Sequence, residues 1–287
     1  MGRPAIIVGI CTALLGHSLL GQTLAFPPRP ADAPGGREVL TSLTDVPLAV
    51  REDSLFAQII RGNVPSFMRE TIAVSAVDPS SPDGPPATFF AAADYLCAGS
   101  DSDWVYVPMT PDCAQRIAAR VHASLPTRRM VDLIYQQAAV RLRPQPIPPG
   151  PAMITVPVFL QHTDSVQTQM AEARIRRKPG LLIAGHKKDV IISNSIRSGL
   201  RPGVPAPVVI YGWHRQDGTP IQPMYNGHQH TWADYSHGIR FVSDTVEIGG
   251  RRLLLREALA DSVLCRFFSD EGPIPHPFYP IDTTSAR

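Results

Sequence analysis

The sequence predicts an α+β fold, a mostly antiparallel mixed sheet with a helix pair in the middle of the chain. Three observations carry this. Strand-like runs outnumber helix-like ones and do not alternate with them, as a doubly wound α/β fold would require. The chain has 30 prolines in 287 residues, against a usual level of about 5%; they gather in a few segments, where they mark loops and strand edges. Hydrophobic residues make up 44%, with 10 Phe, 7 Tyr and 3 Trp, enough apolar surface for a real core.

Residues 1–25 carry Arg3, an apolar run from Ile6 to Leu20 and the small-x-Ala pattern Thr23-Leu24-Ala25. They read as a secretory signal peptide, which implies a secreted or periplasmic protein with no transmembrane segment after its removal. Residues 26–38 are Pro/Gly-rich and read as a flexible leader, leaving 39–287 as a single globular domain. Ser54 to Arg61 is a short helix capped by Asp53 or Ser54 and stopped by Gly62-Asn63. Phe67–Val77 and Ala87–Leu96 are strands around a Pro/Ser/Gly loop, and Trp104–Val107 is a third. Thr110 is an N-cap and Pro111 suits the first helical position, with Ala114, Ile117, Ala118 and Val121 at helical spacing. Leu125-Pro-Thr127 ends that helix and caps its partner, whose buried stripe is Met130, Val131, Ile134 and Ala138.

Arg141 to Pro151 reads as a rigid extended connection, and 144–151 as the one place where the domain could divide. Met153–Leu160 follows as a strand and Ser165–Arg176 as a helix. Leu181–Ala184 and Val190–Ile192 flank Gly185-His-Lys-Lys-Asp189 as a hairpin, with Lys187 and Lys188 solvated in its turn. Pro207–Tyr211 and Ile239–Val242 are strands, Val246–Leu255 is a hairpin turning at Gly249-Gly250, and a helix near Arg256–Phe268 closes the fold. Beyond the leader, Cys97 and Cys113 are the nearest pair for one disulfide; the alternative is three buried thiols with Cys265.

A formal net charge of +2 gives no global field for a polyanion. No phosphate loop, dinucleotide fingerprint or basic aromatic strand is present, so the expected partner is an envelope polymer or a small molecule and not nucleic acid.

Histidine points to the chemistry. Seven of nine lie beyond residue 160, and five of these fall between His186 and His237. Imidazole titrates near neutrality and binds metals. The segment Tyr211–Gly238 also holds Trp213 and Trp232, a mix that suits a concave site. Three chemistries follow. His228 and His230, two apart on a strand, could hold a divalent metal such as zinc, with Asp234 and with His214 or His237. Ser236 could be a nucleophile with one of the histidines as base. A His/Asp pair drawn from His214, Asp234, His237, His186 and Asp189 could do general acid–base work without either.

Ile210-Tyr-Gly-Trp-His214 followed by Ser236-His237-Gly238-Ile239-Arg240 resembles the active-site region of bacterial L,D-transpeptidases, secreted enzymes that remodel peptidoglycan. In that family an upstream His precedes Ser-His-Gly-Cys-x-Arg. Here Ile239 stands at the position of the nucleophilic Cys, Arg240 comes one residue early, and the gap from His214 to Ser236 is longer. The resemblance therefore implies a β-rich cell-wall-binding scaffold, or a hydrolase that uses His237 with another partner.

Two functions are expected from this. One is a secreted or periplasmic hydrolase with a His/Asp site, acting on peptidoglycan or another envelope polymer, with Trp213, Tyr211, Trp232, Tyr235 and Arg240 binding substrate. The other is a non-catalytic glycan- or peptide-binding protein that uses Trp213, Trp232, Tyr225 and Tyr235 as a platform.

Overall fold

Residues just before the expected cleavage point are already built into the core. The computed structural model describes residues 22–178, 180–198, 200 and 204–281, so most of the expected signal peptide lies outside the described residues. Thr23 bridges Glu70, Leu24 N–H donates to Arg69 O at 2.8 Å, and Thr71 N–H donates to Gln22 O at 2.9 Å. Leu24 and Phe26 are buried, and the Phe26 ring lies 6.4 Å from Phe241. The expected flexible leader is therefore corrected to a docked segment. Its proline-rich backbone has few internal hydrogen bonds, Ala33 N–H to Pro30 O at 3.2 Å among them, and side chains complete its anchoring. Arg69 takes the Phe26 carbonyl at 2.9 Å, and Arg29 takes those of Ala33 and Pro34.

Helix α1 (Gly36–Thr41) comes directly after this segment, and α2 (Leu48–Ile60) begins earlier than the sequence predicts. Pro47, not Asp53 or Ser54, stands at its N-cap. Buried Arg51 and Glu52 disguise the apolar period there; the Glu52 carboxylate accepts from Thr110 N–H at 2.6 Å.

Strand β1 (Thr71–Ala76) pairs antiparallel with β2 (Ala87–Ala92), and β3 (Cys97–Gly99) pairs with β4 (Trp104–Tyr106). The helix pair follows as expected, α3 (Pro111–Arg120) and α4 (Arg128–Gln137), with Thr110 accepting from Cys113 N–H at 3.3 Å and Thr127 from Met130 N–H at 3.2 Å. Between them lies β5 (Ala123–Ser124) and after them β6 (Val140–Arg141). The proline-rich run beyond is a strap on the core: Arg143 N–H donates to Gln169 Oε1 at 2.7 Å and Ile147 N–H to Tyr235 Oη at 2.9 Å. One apolar cluster includes residues on both sides of it, from Leu24 to Tyr279.

The expected strand at Met153–Leu160 is a 3₁₀ turn (Pro151–Ile154) that runs into the long helix α5 (Val156–Glu172). The β-branched run Ile154-Thr-Val-Pro-Val158 imitates a strand. Pro157, however, sits in the first helical turn, where its missing N–H costs nothing. Val156, Phe159, Thr163, Val166 and Met170 then form the buried face.

The expected hairpin around Gly185–Asp189 is also absent. Strand β7 (Ile183–Ala184) pairs parallel with β6. Strand β8 (Lys188–Val190) lies between β9 (Val208–His214) and β11 (His237–Gly238), antiparallel to the first and parallel to the second. With β10 (Pro220–His228) this makes a four-stranded sheet of order β10-β9-β8-β11. The Ile239–Val242 strand shortens to β12 (Val242–Ser243). Strands β13 (Thr245–Ile248) and β14 (Arg251–Leu254) form the hairpin expected around Gly249-Gly250. A six-stranded sheet runs β14-β13-β2-β12-β5, with β1 also on β2. The last helix divides into α6 (Leu255–Ala260) and α7 (Cys265–Phe268).

The content of 30% helix and 23% strand, mostly antiparallel, is that of an α+β fold. Cys97, Cys113 and Cys265 are free and buried, which settles the thiol alternative over the Cys97–Cys113 disulfide. No helix among the described residues is long and apolar enough to cross a membrane.

Starting the chain at Phe26 instead of Gln22 removes one packed leucine, worth about 2 kcal/mol, and its strand pairing. Thermal unfolding should show a loss of about 4–8 °C in Tm; superimposable melting curves would mean that this edge is not held.

Candidate active site

In the run His186-Lys-Lys-Asp189 the sequence predicts a solvated lysine pair between two candidate catalytic residues, yet His186, Lys187 and Asp189 are buried and only Lys188 is part-exposed. Unpaired buried charge is costly, so each has an internal partner. The Asp189 carboxylate accepts from Tyr95 Oη at 2.8 Å and lies 3.7 Å from Arg240 Nε. Arg240 donates through Nη1 to Ala92 O at 2.8 Å and through Nη2 to Ile183 O at 2.7 Å, with its guanidinium 4.2 Å over the Tyr95 ring. Gly238 permits this stacking, because a Cβ there would collide with Tyr95 and Lys187. Lys187 Nζ donates to Tyr235 O at 2.6 Å. His186 Nε2 lies 2.8 Å from Tyr106 Oη and 3.4 Å from Asp94, which in turn pairs with Arg177.

Burial dominates the titration of this cluster. It raises Asp189 to about 6 against the opposing pull of Arg240, lowers Lys187 to about 7, and pushes His186 well below the ordinary histidine value. Arg240 and His186 expose no surface. The expected substrate-binding role of Arg240 and catalytic role of His186 are therefore corrected: neither side chain reaches an outside molecule.

A second cluster forms around Asp234. Its carboxylate accepts from Ser236 N–H at 2.8 Å, from the Ser236 hydroxyl and from Trp232 Nε1 at 3.2 Å; His237 Nε2 lies 3.7 Å away. Burial raises the Asp234 carboxyl, but His237, Lys188 and the Ser236 hydrogen bonds outweigh it and hold the group at about 2. Burial lowers His237 to about 4, with Asp234 opposing. Ser236 is buried and its hydroxyl is committed to Asp234, so the nucleophile reading is corrected.

The half-buried His228 stacks on Trp232, with ring centroids 5.1 Å apart and planes 15° apart, and lies 6.4 Å from His237. His230 lies beyond the end of β10, so the His-x-His pair does not share a strand face. Among the described residues no three His, Cys, Asp or Glu side chains form a group able to hold a metal ion, which removes the basis of the zinc reading. Trp213 and Tyr235 are buried, so two of the four aromatics expected as a binding platform lie inside the protein. Tyr225 alone of the four is exposed.

The third arrangement borders an open pocket, with Asp132 part-exposed and His214 itself only 2% exposed. Gly212 (φ 106°) and Trp213 (φ 60°) put a left-handed kink into β9. For a tryptophan this conformation costs about 1–3 kcal/mol. The buried indole, with Lys188 Nζ 5.0 Å over it, and the Trp213 N–H bond to Lys187 O at 3.1 Å hold it in place. Beyond the kink, His214 turns toward α4. Its Nε2 lies 3.0 Å from Asp132 Oδ1, which also accepts from Tyr211 Oη at 2.8 Å. The imidazole stacks on Tyr135 at 4.4 Å and 16°, and Tyr135 is itself anchored to Arg215 O at 2.6 Å. Asp132, Tyr135, Arg141, His214 and Asp217 line an open polar pocket of about 330 Å³.

Tyr211, expected to bind substrate, is buried and acts on Asp132 instead; burial and the Asp132 charge push its hydroxyl pKa up. A larger, more apolar pocket of about 610 Å³ lies beside His228 and His230, and none of the three carboxylates Asp132, Asp189 and Asp234 lines it. The smaller pocket is the more informative, because the oriented imidazole forms part of its wall.

The histidine-rich segment is thus divided among three environments. Asp132, the partner of His214, was missed because the carboxylate was sought within that segment, whereas it comes from a helix 82 residues earlier. A signal was present: on α4, Asp132 stands between the core-facing Val131 and the buried Ile134–Tyr135 pair, at the border of the buried face. Comparison of the chain with protein-family models, with curated proteins and with solved structures finds no match in any of the three.

Two outcomes follow for the buried clusters. His162, His186 and His237 are held below 6.5, so the unfolded chain binds protons that the folded one refuses. Their contribution to stability is full above pH 6.5 and is lost as pH falls through their folded values, about 4 for His237. Asp189, raised from 3.8 to about 6, acts in the opposite direction, its contribution present below 3.8 and lost as pH rises through 6. The three histidines outweigh it, so urea midpoints should fall with acidification, and His237→Gln should flatten that fall; an unaltered slope would show that His237 is not held neutral. Arg240→Met leaves Asp189 buried without its cation and should cost about 3–5 kcal/mol, and Asp189→Leu added to it should recover part of the loss, both read by urea unfolding.

Proposed function

We propose that this protein is a hydrolase acting outside the cytoplasm, with His214 as its general acid–base and Asp132 as the carboxylate that orients it. The observation that carries this reading is the Asp132–His214 contact of 3.0 Å on the wall of an open polar pocket. A carboxylate on Nε2 fixes the imidazole's tautomer and ring position and stabilises the imidazolium formed during reaction. His214 removes a proton from a water molecule as the water attacks a carbonyl carbon. The proton then passes from His214 to the leaving group as the bond to it breaks, which restores the neutral imidazole.

Arg141 supports an acidic substrate. Its Nε donates to Tyr135 O at 3.0 Å, its Nη2 donates to Gln136 O, and its guanidinium lies 5.2 Å over the Tyr135 ring. Held there, its remaining N–H groups can meet a carboxylate in the pocket. Peptidoglycan, whose peptides carry carboxylates, is the substrate class to try first; the local likeness to L,D-transpeptidases points the same way.

The test is turnover of purified peptidoglycan, followed by release of soluble fragments. His214→Gln and Asp132→Asn should each reduce kcat by about 10²–10⁴-fold with unchanged circular dichroism, and Arg141→Gln should raise KM more than it lowers kcat. Full activity in His214→Gln would sink the proposal.

A further inference from the structure

Asp189 lies directly behind the proposed base. It sits opposite Tyr211 in the β8–β9 register, and the next residue on β9 is the side-chain-free Gly212. A Cβ placed on Gly212 would be 3.4 Å from His214 Cε1 and 3.6 Å from Asp189 Oδ2. The imidazole Cε1, the carboxylate Oδ2 and Val131 Cγ1 therefore border one small space beside Gly212, which any other residue at 212 would fill, and the imidazole and the carboxylate are no more than 7.0 Å apart across it.

We propose that Asp189 is a positioning residue for His214, acting across the space at Gly212, so that the imidazole is held between two carboxylates. Asp132 holds it from the pocket side and Asp189 from the interior.

Asp189 is free to act in this way because its ion pair is loose. Arg240 commits both Nη groups to the carbonyls of Ala92 and Ile183, and its Nε stays 3.7 Å from Asp189. Asp189 Oδ1 is buried with no hydrogen-bond partner, and Oδ2 accepts only from Tyr95. The neighbouring cations point elsewhere: Lys187 Nζ to Tyr235 O and Lys188 Nζ over Trp213. The charged and titratable groups facing the pair are thus Tyr95, Arg240, Asp132 and Tyr211. An imidazolium at His214 is the one cation in reach that can form and vanish during a reaction cycle. The field of Asp189 stabilises it when it forms, and the pKa of Asp189 near 6 makes that support greatest above this pH.

This inference rests on reading His214 as the base, but its test does not need activity. Long-range ¹H–¹⁵N spectra of the histidine side chains, with His214 assigned by its loss in His214→Gln, give the His214 midpoint from about pH 5 to pH 9. Asp189→Asn should lower that midpoint by about one pH unit or more. Tyr95→Phe, which withdraws the hydrogen bond that favours the Asp189 anion, should move it a smaller distance in the same direction. The second variant keeps both main chain and charge, so it decides the matter alone if the first does not fold. A His214 midpoint equal to the parent's in the folded variants overturns the coupling, whatever peptidoglycan turnover shows; inactivity toward peptidoglycan with a shifted midpoint overturns the substrate reading and leaves the coupling standing.

Discussion

A guanidinium taken wholly out of water must find acceptors in the protein or unfold it. Arg240 meets this demand with two backbone carbonyls, from Ala92 on β2 and Ile183 on β7, and with the aromatic face of Tyr95. One side chain thereby ties the six-stranded sheet to the β6–β7 pair and lies within 3.7 Å of Asp189 on the four-stranded sheet. The relative placement of these sheets follows from the geometry of a single planar cation. Gly238 and Tyr95 are shaped around it, and Asp189 takes its place beside it.

The other buried polar groups extend the same logic. Asp94, Arg177, Tyr106 and His186 continue the network away from Arg240, and Lys187 caps the Tyr235 carbonyl. Such a core is held by direction as well as by apolar contact, since each hydrogen bond restricts the orientation of its partner. That rigidity matters at β9, where Trp213 stands in a conformation unfavourable to its residue type. The kink persists because both flanks are fixed, and just beyond it His214, still paired with Pro220 on β10, has its side chain toward α4. A side chain on a strand end braced in this way, such as the proposed acid–base group His214, is placed more reproducibly than one on a loop.

Local chemistry made some of this legible in the sequence. Thr110-Pro111 and Thr127 announced α3 and α4 because a cap acts within three residues, and Gly249-Gly250 marked a turn for the same reason. What failed to show was decided at a distance. Nothing local says that Leu24 and Phe26 will find Arg69 and Phe241, so their segment reads as loose. The polar run at His186–Asp189 reads as solvated because the partners that allow its burial, Asp94, Tyr95 and Arg240, lie far along the chain. Histidine enrichment pointed to a region containing His214, but a residue count cannot distinguish an imidazole on the wall of a pocket from the equally buried His237. Nor can it supply Asp132, which only the packing of α4 on β9 brings within reach.

The docked beginning of the chain has a temporal consequence. The Gln22 side chain accepts from the hydroxyls of Ser243 and Thr245, 221 and 223 residues further on. A polypeptide made from its N-terminus cannot close this contact until nearly all of it has been synthesised. The segment can pair with Arg69 and Thr71 early, but its Gln22 side chain is among the last groups to be seated, so a nascent chain stays without this finished edge until elongation is nearly over.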